Sequence, residues 1–186
     1  MNEHREIEVR FLEIDEAALK ARLHELGAED QGEHLLKEVI CYDEALVWRD
    51  EQKFVRLRER DGVVHLTYKD QSVNTIDGTE EIEFDASDMA SAELFLERLG
   101  FPAYRHQEKK RHTFVLDGVM VEIDTWPKIP TYVELEGESE EALREVADKL
   151  GFDWADAVVD NARMVIENHY GIPVSTMRWF TFGRFE

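Results

Sequence analysis

The chain has 186 residues, a single cysteine and a formal net charge of -20, with 42 acidic against 22 basic residues. This length fits one domain that buries a core without disulfides or a structural metal, and the lone Cys41 excludes an internal disulfide. The acidic balance argues against a broad basic surface, so no nucleic-acid partner is expected.

No targeting signal is expected from this sequence. The segment from Met1 to Arg5 carries no basic stretch followed by an apolar run, and no apolar run elsewhere reaches the length that spans a bilayer. We therefore expect a cytoplasmic enzyme or binding protein without a membrane partner.

A strand-like segment with the pattern Glu-x-Glu is followed three times by a helix-like segment that ends at Leu-Gly. The copies run from Glu6 to Gly27, from Glu81 to Gly100 and from Glu134 to Gly151. This self-similarity indicates a repeated strand and helix unit. Strand alternation sends both glutamates of each copy to one face and the apolar residue between them to the other.

Helix start and stop signals predict four helices. Each of the first three begins after a capping residue and ends at the glycine of its Leu-Gly pair; the caps are Asp15, Ser87 or Asp88, and Ser139. The fourth is predicted from about Trp154 to Tyr170, before Gly171 and Pro173.

Strands are predicted over residues 6–12, 36–42, 53–60, 63–70, 79–85, 108–116, 119–124 and 132–136. Asp61-Gly62 and Asp117-Gly118 are the strongest hairpin signals between them. These elements predict an α+β fold with an antiparallel sheet and helices packed beside it.

Alternate residues of the predicted strands differ in character: those on one face are mostly charged, and those on the other face are largely apolar. The charged positions are Glu6, Glu8, Arg10, Arg56, Arg58, Arg60, Lys69, Glu81, Glu83, Asp85, Lys109, Arg111, Glu122, Asp124, Glu134 and Glu136. For any single strand, a solvated outer face explains the pattern. Because the amphipathic helices need the apolar face, closure into a barrel of about eight strands would place the charges inside, around a ligand. Carboxylates bind hard cations and guanidinium groups bind phosphate, so the set suits a divalent cation with a polyphosphate.

The order of these motifs resembles the CYTH superfamily, the triphosphate tunnel metalloenzymes, over almost the whole chain. The matching motifs are Glu6-x-Glu8-x-Arg10, Cys41-Tyr42-Asp43, Arg56-Leu57-Arg58, Thr67-Tyr68-Lys69, Glu80-Glu81-Ile82-Glu83, Lys109-Lys110-Arg111, Ile123-Asp124 and Tyr132-Val133-Glu134-Leu135-Glu136. The family includes class IV adenylyl cyclases, thiamine triphosphatases and inorganic triphosphatases. The resemblance implies one CYTH-type domain over 1–186, built as a closed antiparallel β-barrel that forms a triphosphate tunnel with flanking helices.

The resemblance also implies roles for individual residues. Ligands of Mg2+ or Mn2+ would be Glu6, Glu8, Asp124, Glu134 and Glu136, and triphosphate would be bound by Arg10, Arg56, Arg58, Lys69, Lys109 and Arg111. Catalysis would involve Glu6, Glu8, Arg10 and Glu134, while Glu81 and Glu83 would orient basic side chains or touch a second cation. The family signature has lysine where this chain has Arg10, and the two side chains differ in geometry and hydration.

Metal-dependent hydrolysis of tripolyphosphate or a small organic triphosphate is the function that these features favour, because no adenine-specific motif is visible. The alternative is a class IV adenylyl cyclase that converts ATP to cyclic AMP and pyrophosphate. A non-catalytic polyphosphate binder is a third hypothesis, against which the three retained Glu-x-Glu pairs argue.

Three other features receive simpler interpretations. The seven histidines form no metal-ligand spacing, so no zinc site is expected. Cys41 is interpreted as a buried strand residue. The aromatic tail from Arg178 to Phe185 is predicted to pack on its own domain, with a homodimer contact as the alternative.

Overall fold

The computed structural model describes residues 5–60 and 62–186. His4, which is one of the seven histidines, and Asp61 of the predicted Asp61-Gly62 turn therefore lie outside the described residues. Among the residues described, eight strands close a barrel and a ninth short strand extends it. No helix in these ranges is both long enough and apolar enough to cross a bilayer.

The first eight strands follow the order that the sequence predicts, and the ninth was not predicted. The strands are β1 (Arg5–Phe11), β2 (Glu29–Cys41), β3 (Lys53–Arg60), β4 (Val63–Asp70), β5 (Thr79–Ala86), β6 (Ala103–Leu116), β7 (Val119–Thr125), β8 (Tyr132–Gly137) and β9 (Trp179–Phe180). The hairpin between β6 and β7 turns at Asp117 and Gly118, which both have positive φ values of 52° and 83°. Two such residues in sequence match the turn that favours a two-residue hairpin.

The strands pair in the order β2, β3, β4, β5, β1, β8, β7, β6, and the additional pairing of β2 with β6 closes the ring. All these pairings are antiparallel. The fold prediction of a closed antiparallel β-barrel in an α+β protein is thus confirmed. Closure needs a long β2 and a long β6, and both begin earlier than the sequence predicts.

The helices are α1 (Glu16–Glu25), α2 (Val47–Asp50), α3 (Met89–Arg98), α4 (Glu140–Leu150) and α5 (Ala162–Met164), with α5 continuing as a π-helical turn over Val165–His169. Asp15, Asp88 and Ser139 each accept a hydrogen bond from the backbone N–H three residues on, as helix caps do. Gly27, Gly100 and Gly151 follow α1, α3 and α4 with positive φ. The three strand and helix units predicted from the repeat are therefore present.

Apolar side chains on the outside of the barrel pack under these helices. Leu23 of α1 and Leu143 of α4 lie against Val9 and Leu135 of the barrel. On another side, Leu96 of α3 packs with Leu57. Because the apolar parity faces the helices, the charged parity of the same strands faces the barrel interior.

The predicted fourth helix is interrupted in the structure. A 3-10 turn covers Trp154–Asp156, and the chain is then extended, with Val158 forming two backbone hydrogen bonds of 2.9 Å with Arg10. Helical structure resumes only after Asn161, whose side chain accepts a hydrogen bond from the Met164 N–H. The gain of a backbone bridge to β1 outweighs the helical pattern in this stretch.

The aromatic tail packs on its own barrel. Trp179 and Phe180 form β9, which pairs in parallel with β6 at His106 and Gln107. Phe180 is fully buried and stacks with Trp126. The predicted packing on the domain is confirmed, and the homodimer contact stays a prediction.

Candidate functional site

The interior of the barrel holds a cavity of about 330 Å³. The sequence-predicted site residues that line it are Glu6, Glu8, Arg10, Arg56, Arg58, Lys69, Glu81, Glu83, Lys109, Arg111, Glu134 and Glu136. The pairing of strands around the closed barrel therefore brings together side chains that lie as far as 130 residues apart in sequence. Asp124 is the predicted residue that does not line the cavity.

Most carboxylates and most basic groups of the wall come from different sets of neighbouring strands, and the exceptions are Arg10, Glu38 and Lys69. We define the acidic arc as the neighbouring strands β5, β1, β8 and β7, which contribute Glu81, Glu83, Glu6, Glu8, Glu134, Glu136 and Glu122. We define the basic arc as β6 and β3 on either side of β2, which contribute Arg105, Lys109, Arg111, Arg56 and Arg58. An anionic ligand between the arcs would meet guanidinium groups on one side and carboxylates, suited to a cation, on the other.

Three carboxylates of the acidic arc form a compact cluster. Oxygen atoms of Glu122, Glu134 and Glu136 all lie within 4.8 Å of one another. Burial, together with Glu6, Glu122 and Glu134, raises the pKa of Glu136 to about 8. Burial and nearby carboxylates also raise the pKa of Glu122, although Arg111 opposes this shift. The cluster is thus held together at an electrostatic cost that a cation would relieve.

Glu134 differs from Glu136 because it is paired with basic groups. Its Oε2 lies 2.5 Å from Nη2 of Arg10, and its Oε1 accepts a hydrogen bond of 3.2 Å from Arg111. Burial opposes ionisation, but Arg10 and Arg111 hold the pKa of Glu134 well below its usual range. Glu134 is therefore an anion in the cation-free site.

Asp124 is fully buried beneath the cavity wall. Its two oxygens accept hydrogen bonds from Nε and Nη2 of Arg111, each of 2.7 Å, and its Oδ2 accepts another of 2.8 Å from Lys109. Its assignment as a cation ligand stays a prediction, since its observed contacts are with basic side chains. Glu122 is the carboxylate of β7 that faces Glu134 and Glu136, and it also forms an ion pair with Arg111.

The basic arc brings like charges close to one another. Burial and then the neighbouring Arg56 lower the pKa of Arg58, and burial and then Arg111 lower the pKa of Lys109. Arg56 is weakly paired, because its Nη2 lies 3.8 Å from Glu81 and 3.5 Å from Glu83 and its Nε is buried without a hydrogen-bond partner. A polyanion would relieve the repulsion within this arc.

Lys69 of β4 lies beside the acidic arc. Its Nζ is 2.8 Å from an oxygen of Glu6 and 2.6 Å from an oxygen of Glu81. The predicted orienting role of Glu81 is consistent with this contact. Glu83 accepts a hydrogen bond of 2.7 Å from the hydroxyl of Thr67.

Sequence reasoning assigned no role to four polar residues of the site. Glu38 of β2 accepts hydrogen bonds from Arg58 (2.7 Å) and Gln107 (2.6 Å), and Arg105 donates one of 2.8 Å to Gln107. The residues two positions before and after Glu38 are apolar, so the alternation along β2 did not predict a charged interior face there. Arg105 and Gln107 precede the predicted start of β6. The alternation places Glu122 on the charged face with Asp124, but of these two only Asp124 is assigned as a cation ligand.

The C-terminal segment covers one mouth of the barrel. Asn161, Ala162, Arg163, Ile166 and Val174 line the cavity. The segment is fastened at both ends, since Nη1 of Arg163 donates to the Arg49 carbonyl and Nη1 of Arg105 donates to the Val174 carbonyl. The opposite mouth, beside Glu6, Glu81 and Glu136, forms a second and more open cavity of about 320 Å³.

Cys41 takes no part in this site. It is fully buried on the outer parity of β2, and burial and then Glu93 raise the pKa of its thiol to about 12. We expect a thiol reagent at about pH 8 to leave the folded protein unmodified and to react fully after denaturation, because only the thiolate is nucleophilic. Mass spectrometry after timed labelling checks this, and rapid modification of the folded protein would contradict the burial of Cys41.

Comparison of the sequence with known families finds one that matches most of the chain. The sequence model described as "CYTH domain" matches residues 4–157. A comparison with curated proteins finds no match.

Comparison with solved structures finds the same barrel in several proteins. A "conserved hypothetical protein" of Pyrococcus furiosus is 25% identical, with a TM-score of 0.69 and with 84% of this chain and 97% of that chain covered. A "putative adenylate cyclase" of Vibrio parahaemolyticus is 16% identical, with a TM-score of 0.74 and coverage of 88% and 98%. A "putative adenylyl cyclase" of Hippeastrum, described as having a dominant triphosphatase activity, is 15% identical, with a TM-score of 0.62 and coverage of 89% and 96%.

Proposed function

The chain belongs to the CYTH domain family, and from this premise we propose that it hydrolyses a triphosphate in its barrel with the help of a divalent cation. The proposed substrate is tripolyphosphate or a small organic triphosphate, and the proposed cation is Mg2+ or Mn2+. The observation that carries the proposal is the opposition of the two arcs across one enclosed cavity.

The acidic cluster fits a hard divalent cation. Glu122, Glu134 and Glu136 offer oxygen ligands from two adjacent strands, and Glu136 has no hydrogen-bond donor or ion-pair partner among the described residues. A cation held by these carboxylates would neutralise charge on the triphosphate and would activate water for attack. Phosphate binding alone would not need this cluster, which argues against a purely binding protein.

The basic arc supplies the groups that hold the substrate. Arg56 and Arg58 lie across the cavity from the cluster, and Lys109 and Arg111 lie beside it on β6. Guanidinium groups bind phosphate oxygens in pairs, so they can fix a triphosphate in one orientation and neutralise its charge. Fixed positioning and charge neutralisation are the main demands of phosphoryl transfer.

Adenylyl cyclase activity is the second candidate, and one feature of the cavity favours it. Beside the C-terminal segment the lining includes the apolar side chains of Tyr42, Phe54, Trp126 and Ile166. An apolar surface there would contact an organic group attached to a triphosphate. The Hippeastrum protein, a "putative adenylyl cyclase" with a dominant triphosphatase activity, supports the order in which we place the two functions.

A substrate panel tests the proposal directly. We expect the purified protein to release phosphate from tripolyphosphate much faster than from ATP, and to form no cyclic AMP, with Mg2+ or Mn2+ present. EDTA should abolish the release, because the cation would supply charge neutralisation and water activation that turnover requires. Chromatography of both reactions, before and after restoring the cation, provides the measurement.

Each contrary result of this panel has its own meaning. Stoichiometric cyclic AMP and pyrophosphate from ATP would establish the second candidate instead. Full activity in EDTA would overturn the cation requirement, and tight tripolyphosphate binding without turnover would favour the binding protein.

A further inference from the structure

The guanidinium of Arg10 is engaged almost entirely by the protein. Nη2 donates to Glu8 at 3.0 Å and lies 2.5 Å from Glu134, while Nη1 donates to the carbonyl of Asp160 at 2.9 Å. The two terminal nitrogens thus join three acceptors from β1, β8 and the C-terminal segment.

Arg10 offers little to a ligand in the cavity. Its side chain is 3% exposed, and its Nε is buried without a hydrogen-bond partner. A phosphate that used the terminal nitrogens would have to displace Glu8 or Glu134. Arg56 provides the contrast, because its nearest carboxylate oxygens are 3.5 and 3.8 Å away.

The anchor of Arg10 lies outside the stretch that matches the family. That match ends at residue 157, and the bridge from Val158 to the Arg10 backbone and the carbonyl of Asp160 follow immediately. The Asp160 side chain is held in turn, since Oδ1 accepts a hydrogen bond from Asn74 and Oδ2 lies 3.3 Å from His169. This segment therefore has a defined position relative to β1.

We propose that Arg10 is a positioning residue, which holds the carboxylates of Glu8 and Glu134 and ties them to residues 158–161 instead of gripping the triphosphate. The proposal rests on the proposed function for the identity of the ligand. It also explains why arginine suits this position. A lysine ammonium has a single nitrogen and cannot reach the Asp160 carbonyl on one side and both carboxylates on the other.

NMR of the arginine side chains tests the contacts without using activity. In 15N-arginine-labelled, cation-free protein, we expect guanidinium protons of Arg10 to exchange slowly with water. Adding tripolyphosphate should shift the Arg56 resonance and leave that of Arg10 in place. Arg10→Lys and Arg56→Lys assign the two signals by their loss. Rapid exchange of the Arg10 protons, or a shift as large as that of Arg56, would overturn the proposal.

Kinetics of the same two variants separate positioning from substrate binding. Arg10→Lys should lower kcat by at least about tenfold, as losses of groups that orient catalytic ligands do, with the Kd for tripolyphosphate in EDTA changed less than about threefold. Arg56→Lys should change the Kd more than kcat. A wild-type kcat in Arg10→Lys, or a larger loss of affinity than in Arg56→Lys, would contradict the positioning role.

A variant outside the cavity provides a second test in case Arg10→Lys does not fold. Asp160→Ala removes the contacts to Asn74 and His169 but keeps the carbonyl, so it should lower kcat and leave the Kd for tripolyphosphate unchanged. An unchanged kcat would contradict the requirement that the Asp160 side chain hold this segment in place for Arg10. If the wild-type protein neither binds nor cleaves tripolyphosphate, the proposed function fails, and the exchange rate of the Arg10 protons still decides the positioning role.

Discussion

Replacing Glu136 by glutamine is expected to lower kcat by about 10²-fold or more and to raise the melting temperature of the cation-free protein. Glu136 belongs to the cluster of three carboxylates within 4.8 Å of one another. Glutamine keeps the shape but removes the charge, so a proposed cation ligand is lost and the repulsion from Glu6, Glu122 and Glu134 disappears. A gain in stability with a loss of activity is typical of a functional site.

The stability effect should depend on pH in a defined direction. Burial and the neighbouring carboxylates raise the pKa of Glu136 from 4.5 to about 8 in the folded protein. The folded state therefore binds the proton more tightly than the unfolded state, and stability falls as pH rises from about 4.5 to about 8. Glu136→Gln should remove this slope, so the gain in melting temperature should be large at the upper end of the window and small at its lower end.

Thermal melting in EDTA across this window, together with steady-state kinetics, measures both effects. Glu138→Gln is the matched control, because Glu138 is exposed and lies just beyond the same strand. The control should change neither property. Full activity of Glu136→Gln would contradict the proposed role of Glu136 as a cation ligand. A melting temperature below that of the wild type at every pH would contradict the repulsion between Glu136 and its neighbouring carboxylates.

Replacing Arg111 by glutamine is expected to destabilise the protein by about 3–5 kcal/mol, the usual cost of removing one partner of a buried ion pair. Its guanidinium donates two hydrogen bonds of 2.7 Å to the fully buried Asp124 and contacts Glu122 and Glu134. Burial opposes its charge, but Asp124 and Glu122 raise its pKa well above the ordinary value. Without Arg111, these carboxylates would lose their principal counter-charge inside the barrel.

Denaturant unfolding measures this loss, with Arg56→Gln as the matched control. Arg56 belongs to the same basic arc, but its carboxylate neighbours lie at 3.5 and 3.8 Å, so its replacement should cost little stability and mainly weaken triphosphate binding. Equal stability of the two variants would mean that the contacts of Arg111 with Asp124 contribute nothing in solution.

Local sequence patterns determined a large part of this fold. The capping residues Asp15, Asp88 and Ser139 and the glycines after Leu26, Leu99 and Leu150 mark three helices correctly, because caps act through hydrogen bonds within a few residues. The alternation of charged and apolar residues likewise places the predicted site residues on the interior face, since side-chain direction in a strand depends only on parity.

Only the tertiary structure decided which charged side chains of the interior pair with one another. Glu122 and Asp124 have the same parity, yet Glu122 belongs to the carboxylate cluster with Glu134 and Glu136, and Asp124 is enclosed by Lys109 and Arg111. The depth of a strand residue inside a barrel depends on register with its neighbours, and register is a long-range property.

The C-terminal segment and the closure of the ring also required the three-dimensional structure. The helical pattern of residues 154–170 gives way to the bridge between Val158 and Arg10, and β2 and β6 extend to meet each other. The sequence by itself determined which face of each strand carries most of the charged side chains that line the barrel. Their partners, and the engagement of Arg10 with Glu8, Glu134 and Asp160, depended on contacts between residues as many as 150 positions apart, which no local pattern encodes.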